Sequence, residues 1–170
     1  MTDTASLYGR PATSDVPPAA IADWLDGRDL EDKVGTAIGV YTADGDGWPH
    51  PAQLSPGEVL LSADGEVRLA VWEGSQTSEN LRRDGRVVLM VAADGASHEL
   101  RFEVTETAPG SGPPLATFSG QMVVAREHRV PYAEVVSGVQ FKLRDRDATL
   151  ERWRRQIDAL RGLDTSGVTQ

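Results

Sequence analysis

The chain contains no cysteine. That absence excludes disulfide frameworks, thiolate zinc sites, iron–sulfur clusters and cysteine nucleophiles at once. Long apolar runs are missing too. None approaches the roughly 20 residues that a membrane-crossing helix needs. The opening Met1-Thr-Asp-Thr-Ala-Ser also lacks the basic start and apolar stretch of a signal peptide, so the expected setting is the cytoplasm, away from membranes. Basic charge is scarce: 17 Lys and Arg stand against 26 Asp and Glu, for a net charge of −9. Only Arg82-Arg83 and the run Arg152 to Arg155 concentrate positive charge. Such a chain repels a phosphate backbone, which argues against nucleic-acid binding.

What is present is enough for one domain. A chain of 170 residues can bury a core without staples or a structural metal. Residues 1–16 read as a loose leader, 17–161 as a single domain and 162–170 as a loose tail. Pro17-Pro18 opens a short helix with Ser14 or Asp15 as cap, Ile21, Trp24 and Leu25 as its apolar face, and Gly27 as its stop.

From Val34 the pattern changes to short β-prone runs separated by turn residues. The runs are Gly35 to Thr42, His50 to Leu54, Val59 to Ser62, Glu66 to Trp72, Arg86 to Ala92, His98 to Thr107, Leu115 to Arg126 and Gly138 to Arg144. Asp64-Gly65 and Asp94-Gly95 sit between runs, the composition that tight hairpins favour. In Glu66 to Trp72, Val67, Leu69 and Val71 face one way and Arg68, Ala70 and Trp72 the other. A short helix is expected near Ser78 to Arg83 and a longer one from Ala148 to Arg161, whose Leu150, Trp153, Ile157 and Leu160 form an apolar stripe. The expected fold is mainly β, a barrel of about seven antiparallel strands with a short inserted helix and a helix at each end.

The chemistry-bearing stretch runs from Arg68 to Met90. A strand delivers Trp72, a Gly turn follows, and Ser75, Thr77 and Asn80 cluster where a helix begins. Free N–H groups at a helix start, with two hydroxyls and an amide, form a cup suited to a terminal phosphate. Arg82 or Arg68 is positioned to add charge. The alternative is that Ser75 or Thr77 only caps the helix.

Three segments together resemble the pyridoxamine 5′-phosphate oxidase-like, FMN-binding split β-barrel superfamily. His50-Pro-Ala-Gln-Leu54-Ser55-Pro-Gly-Glu-Val59 is similar to that family's second strand and the turn beneath the flavin. Ser75-x-Thr77-x-x-Asn80-Leu81 followed by Gly85-Arg-Val is similar to its phosphate-binding turn and helix. Ser137-Gly-Val-Gln-Phe141-Lys-Leu143 followed by Trp153 resembles its last strand and closing helix.

The resemblance implies an FMN-binding homodimer with the flavin at the subunit interface. Gln53, Leu54 and Ser55 would line the isoalloxazine, Trp72 would lie beside the ring or ribityl chain, and Ser75, Gln76, Thr77 and Asn80 would hold the phosphate. Two departures stand out. The adjacent basic residues of true pyridoxamine phosphate oxidases are replaced by Gln76 and Thr77, and the C-terminal Arg-Leu-Ala-Pro-like signature is absent, which argues against vitamin B6 oxidation.

His50, His98 and His128 are far apart and lack the spacing of a metal site; His50, beside the expected flavin strand, reads as an ordinary strand-end histidine, with a proton donor to the flavin as the alternative. Glu99 and Glu103 share a strand face that reads as solvated, with Glu106 facing oppositely. No Gly-x-Ser-x-Gly elbow, Walker loop or Gly-x-Gly-x-x-Gly fingerprint occurs. The leading expectation is an FMN-dependent oxidoreductase acting on a small molecule. The alternatives are a non-catalytic flavin-binding or flavin-sensing module, and the same barrel carrying F420 or haem; the acidic tail of F420 would want a basic groove that this chain does not offer.

Overall fold

The computed structural model describes residues 11–107 and 114–163. In chain order the elements are β1 (Ala12–Ser14), α1 (Ala19–Trp24), a 3-10 turn (Leu30–Lys33), β2 (Ile38–Ala43), β3 (Pro49–Leu54), β4 (Val59–Leu61), β5 (Glu66–Trp72), α2 (Gln76–Asp84), β6 (Arg86–Ala93), β7 (Ala96–Glu106), β8 (Leu115–His128) and α3 (Arg146–Arg161). The strands form one antiparallel sheet in the order β3-β2-β6-β7-β8-β5-β4. This is the half-barrel of a split-barrel fold.

Turn chemistry places the hairpins. Asp94 and Gly95 both take positive φ, 50° and 74°, and link Ala93 to its register partner Ala96 in a two-residue turn. The sheet's two edges are blunted in different ways. β4 is three residues long, and β3 carries Pro49 and Pro51, which have no N–H to offer a further strand.

Alternation sorts the side chains. Ile38, Val40, Val67, Leu69, Val87, Leu89, Leu100, Phe102 and Phe118 face inward and form the main core, plugged by Ile21 and Leu25 around α1. A second cluster lies outside the sheet. There the expected stripe of α3, Leu150, Trp153, Ile157 and Leu160, packs with Ala70 and Leu60 of the short strands and with Leu30 of the 3-10 turn. α3 therefore covers the outer face of β4 and β5.

Several expectations require correction. Ala12–Ser14, placed in the loose leader, pairs with Ala125 to Glu127 of β8. β8 is long enough to outrun β5, and β1 takes up the freed edge. The N-cap of α1 is Pro18, while the Ser14 hydroxyl accepts from Val16 N at 3.1 Å. Gly138 to Arg144 is not a strand. Its contact with the sheet is the single bridge Thr36↔Gln140, flanked by Ala37 N to Val139 O and Phe141 N to Gly35 O. Gly35 at φ 94° breaks the partner run, so β2 starts only at Ile38. The Pro/Gly/Ser stretch after Thr107 and most of the C-terminal tail lie outside the described residues.

Candidate functional site

The site is built where β5 hands over to α2. Trp72, the last residue of β5, points outward and is 62% exposed. The chain turns through Glu73-Gly74, and Ser75 N donates back to Trp72 O at 3.0 Å. Ser75 is the N-cap: its φ of −85° and ψ of 153° are extended, and its hydroxyl oxygen accepts from Ser78 N at 3.2 Å. The fully buried Ser78 hydroxyl lies 2.6 Å from Glu73 O and so fixes the turn. Gly85 ends the helix at φ 70°, with its N–H on Leu81 O. By helix geometry the N–H groups of Gln76 and Thr77 have no acceptor inside the helix.

Asn80 does not face this opening. It is buried, and its Nδ2 donates to Thr42 Oγ1 of β2 at 2.9 Å. Its Oδ1 accepts from Gln76 Nε2 at 3.0 Å and from Arg83 Nη2 at 3.1 Å. Arg83 also reaches Ala43 O. The amide is thus a clamp joining α2 to the end of β2, with all its strong bonds internal. An Asn80→Ala substitution strips the buried Thr42 hydroxyl of its partner and also releases Gln76 and Arg83. It is expected to cost about 2 kcal/mol in the chain without any ligand, read as a lower urea midpoint. An unchanged midpoint would contradict the clamp.

The other expected site residues divide. Ser75 and the exposed Gln76 open α2 just after the turn from Trp72, whereas Thr77 beside them is buried. Gln53 is exposed on the outer side of edge strand β3, whereas Leu54 is in the core. Ser55 is engaged in its own turn: its N and Oγ both donate to Glu58 Oε2, each at 2.7 Å. Arg68 is not part of the cup. Its Nη1 donates to Leu160 O at 2.8 Å and Arg161 O at 3.1 Å, and its Nε to Glu66 Oε1 at 2.8 Å, so it caps the C-terminus of α3. Outward-facing positions of β5 lie under α3, which is why the guanidinium meets those carbonyls.

Arg82 lies on α2 with Nη1 3.3 Å from Glu73 O, but Glu106 of β7 holds it bidentately at 2.8 and 2.7 Å. That bond keeps the Glu106 carboxyl below its ordinary value and raises the guanidinium. His50 sits opposite Thr42 in the β2–β3 register, half-buried. His98 is buried, its Nε2 at 3.2 Å from Ala93 O, and its Nδ1 has no partner.

Sequence reasoning missed Thr42 and Arg83, which complete the Asn80 clamp. It also read Glu99 as solvated. Glu99 is instead the centre of an ion cluster, taking Arg101, Arg126 (3.3 Å) and His128 (3.0 Å) with only 13% of its side chain exposed. Burial pushes its carboxyl upward, and the bonds from His128 and Arg101 with the Arg126 charge more than offset that, leaving it below the ordinary value.

No protein-family model matches the chain. YclD of Bacillus subtilis (strain 168), itself uncharacterized, is 30% identical over 139 residues, which span 81% of this chain and 90% of YclD. The chain belongs to the YclD family. Solved structures identify the fold of this YclD-family chain. A Lactobacillus delbrueckii protein provisionally named a pyridoxamine 5′-phosphate oxidase matches 69% of this chain and 98% of its own, at 14% identity and a TM-score of 0.52. HupZ of Group A Streptococcus matches 65% of this chain and 98% of its own, at 13% identity and a TM-score of 0.51. The fold is that of the pyridoxamine 5′-phosphate oxidase-like split barrels. Among the described residues no helix is long and apolar enough to cross a membrane, and no group of three or more His, Asp and Glu is placed to hold a metal.

Proposed function

We propose that this YclD-family protein binds FMN and acts as an oxidoreductase, working as a homodimer. The observation that carries the reading is the open start of α2 beside Trp72. The N–H groups of Gln76 and Thr77, which have no acceptor inside the helix, follow the Ser75 cap, and the exposed Trp72 indole stands just before the turn that leads into it. That donor set fits a phosphate ester joined to a planar ring. It is a neutral set, since Arg82 is taken by Glu106, Arg83 by the clamp and Arg68 by α3.

In this reading Ser75, Gln76 and Thr77 hold the phosphate through N–H and hydroxyl donors. Gln76 is itself oriented by its bond to Asn80. Trp72 offers its face to the ring or the ribityl chain, and of the three residues at the end of β3 only the exposed Gln53 is left free to reach it, since Leu54 is in the core and Ser55 is bonded to Glu58. When bound, FMN supplies the electron chemistry, while the chain binds and orients it. Neutral donors make weaker bonds than charge-assisted ones by roughly half, so a modest affinity is expected.

The test is a visible titration of the purified protein with FMN. A perturbed flavin band that saturates at micromolar FMN, and that weakens at least several-fold in Trp72→Ala, is the expected result. A flavin spectrum unchanged by the protein would overturn the proposal. Oxidation of NADH or NADPH by the FMN-loaded protein then separates an enzyme from a non-catalytic flavin carrier; no turnover with any reductant would leave only the carrier.

A further inference from the structure

A cation stands beside the turn that leads into α2, and it is already in use. Arg82 reaches back along the helix, and its Nη1 lies 3.3 Å from Glu73 O, the carbonyl two residues before the Ser75 cap. Its Nε and Nη2 are held by the Glu106 carboxylate at the end of β7, at 2.8 and 2.7 Å. The other arginines around the site are committed elsewhere. Arg83 bonds Asn80 and Ala43 O on the β2 side, and Arg68 bonds the end of α3. Glu73 and Glu79 add their negative charge to that of Glu106 around the same guanidinium. A dianion at the start of α2 therefore meets a net negative field for as long as Arg82 belongs to Glu106.

The bond to Glu106 is one that a phosphate can replace. The Arg82 and Glu106 side chains are 35% and 38% exposed, and exposed ion pairs contribute little to stability. Both border an open cleft of about 830 Å³ beside Gly85 and Thr105, which leaves them room to rearrange. A carboxylate offers the guanidinium fork one charge and two oxygens, whereas a phosphate monoester offers nearly two charges and three oxygens. The exchange strands nothing in the interior. Glu73 O keeps the Ser78 hydroxyl, at 2.6 Å, when Arg82 leaves, and Glu106 stays in contact with water.

We propose that Arg82 is an exchangeable phosphate ligand: Glu106 holds it until the terminal phosphate of the bound ligand takes it over. Glu106 thereby sets both the affinity for phosphorylated ligands and their preference over unphosphorylated ones. This rests on the FMN reading above and adds to it one charged residue and the carboxylate that restrains it.

The experiment titrates the full chain with FMN, riboflavin and inorganic phosphate. It reads the flavin band and the NMR signal of the Arg82 Nε–H, assigned by its loss in Arg82→Ala. Glu106→Gln keeps the shape of the side chain and removes its charge. Glu79→Gln removes the same charge from the first turn of α2 without touching the Arg82–Glu106 bond, and so controls for the general field. The expected result is that Glu106→Gln binds FMN and phosphate about five-fold more tightly than the unaltered chain. No comparable gain is expected in Glu79→Gln or in the Arg82→Ala/Glu106→Gln double variant, and riboflavin binding stays the same throughout. An unchanged affinity in Glu106→Gln, an equal gain in Glu79→Gln, or a gain that survives the loss of Arg82 would each overturn the proposal. An Arg82 signal that responds to phosphate, beside a flavin band that the protein does not perturb, defeats the flavin reading alone. FMN bound alike by all these chains defeats this inference alone, and chains that bind neither FMN nor phosphate defeat both.

Discussion

Gly120→Ala is expected to lower the melting temperature by on the order of 10 °C, the largest effect of any single methyl group in the protein. Gly120 lies mid-way along β8, opposite Val67 on one side and Val104 on the other. A Cβ there would overlap the Glu103 carbonyl oxygen and sit 2.7 Å from both the Glu103 carbonyl carbon and Val104 Cα. All of these are backbone atoms of β7, so no side chain can swing aside to make room. Either the β7–β8 ladder opens or the strand shifts, at a cost of about 3 kcal/mol. Gly47 supplies the control, because a Cβ there meets nothing within 4 Å, although its φ of 86° carries its own strain. Thermal unfolding of the two alanine variants should show Gly120→Ala clearly the worse; equal melting temperatures would contradict the close approach of β7 and β8.

The second large effect belongs to Trp153→Ala, expected to cost about 4 kcal/mol. Trp153 is 1% exposed and is the largest buried side chain of the described residues. It packs edge-on against Phe141, with ring centroids 6.4 Å apart, and presses on Gly57, where a Cβ would collide with its Cβ, Cγ and Cδ1. The residue therefore fastens three things at one point: α3, the turn between β3 and β4, and the strap after β8. Removing it empties that junction. The indole Nε1–H is buried without an acceptor, so it contributes nothing favourable beyond the ring itself. Trp153→Phe should accordingly lose much less stability than Trp153→Ala. Urea unfolding of both variants distinguishes this from a polar role, which would make the phenylalanine variant nearly as damaging as the alanine one.

How much of this was legible beforehand depends on the range of the interaction concerned. The alternation in Glu66 to Trp72 gave the strand to the residue, and the stripe of α3 gave its buried side, because both patterns repeat over a few neighbours. The same local reasoning failed for Gly138 to Arg144, which has the composition of a strand but only Thr36 as a bridging partner. A strand exists only where another strand's free groups await it. For the site, the cap at Ser75 and the helix start were readable from spacing. The fate of Asn80 was not, because its partner Thr42 lies 38 residues away.

Taken by itself, the sequence determined the order of the elements from α1 to β8, the hairpin turns, the apolar faces and the absence of any thiol chemistry, but not β1 or the fate of Gly138 to Arg144. It also carried the resemblance to split barrels that the fold bears out. Only the tertiary structure decided which polar side chains are free to meet a ligand. Arg68 is bonded 92 residues along the chain, to the end of α3, and Arg82 of α2 is bonded to Glu106 at the end of β7. Propensity and periodicity act between near neighbours, whereas a guanidinium or a buried amide takes its partners from whatever the sheet topology brings alongside.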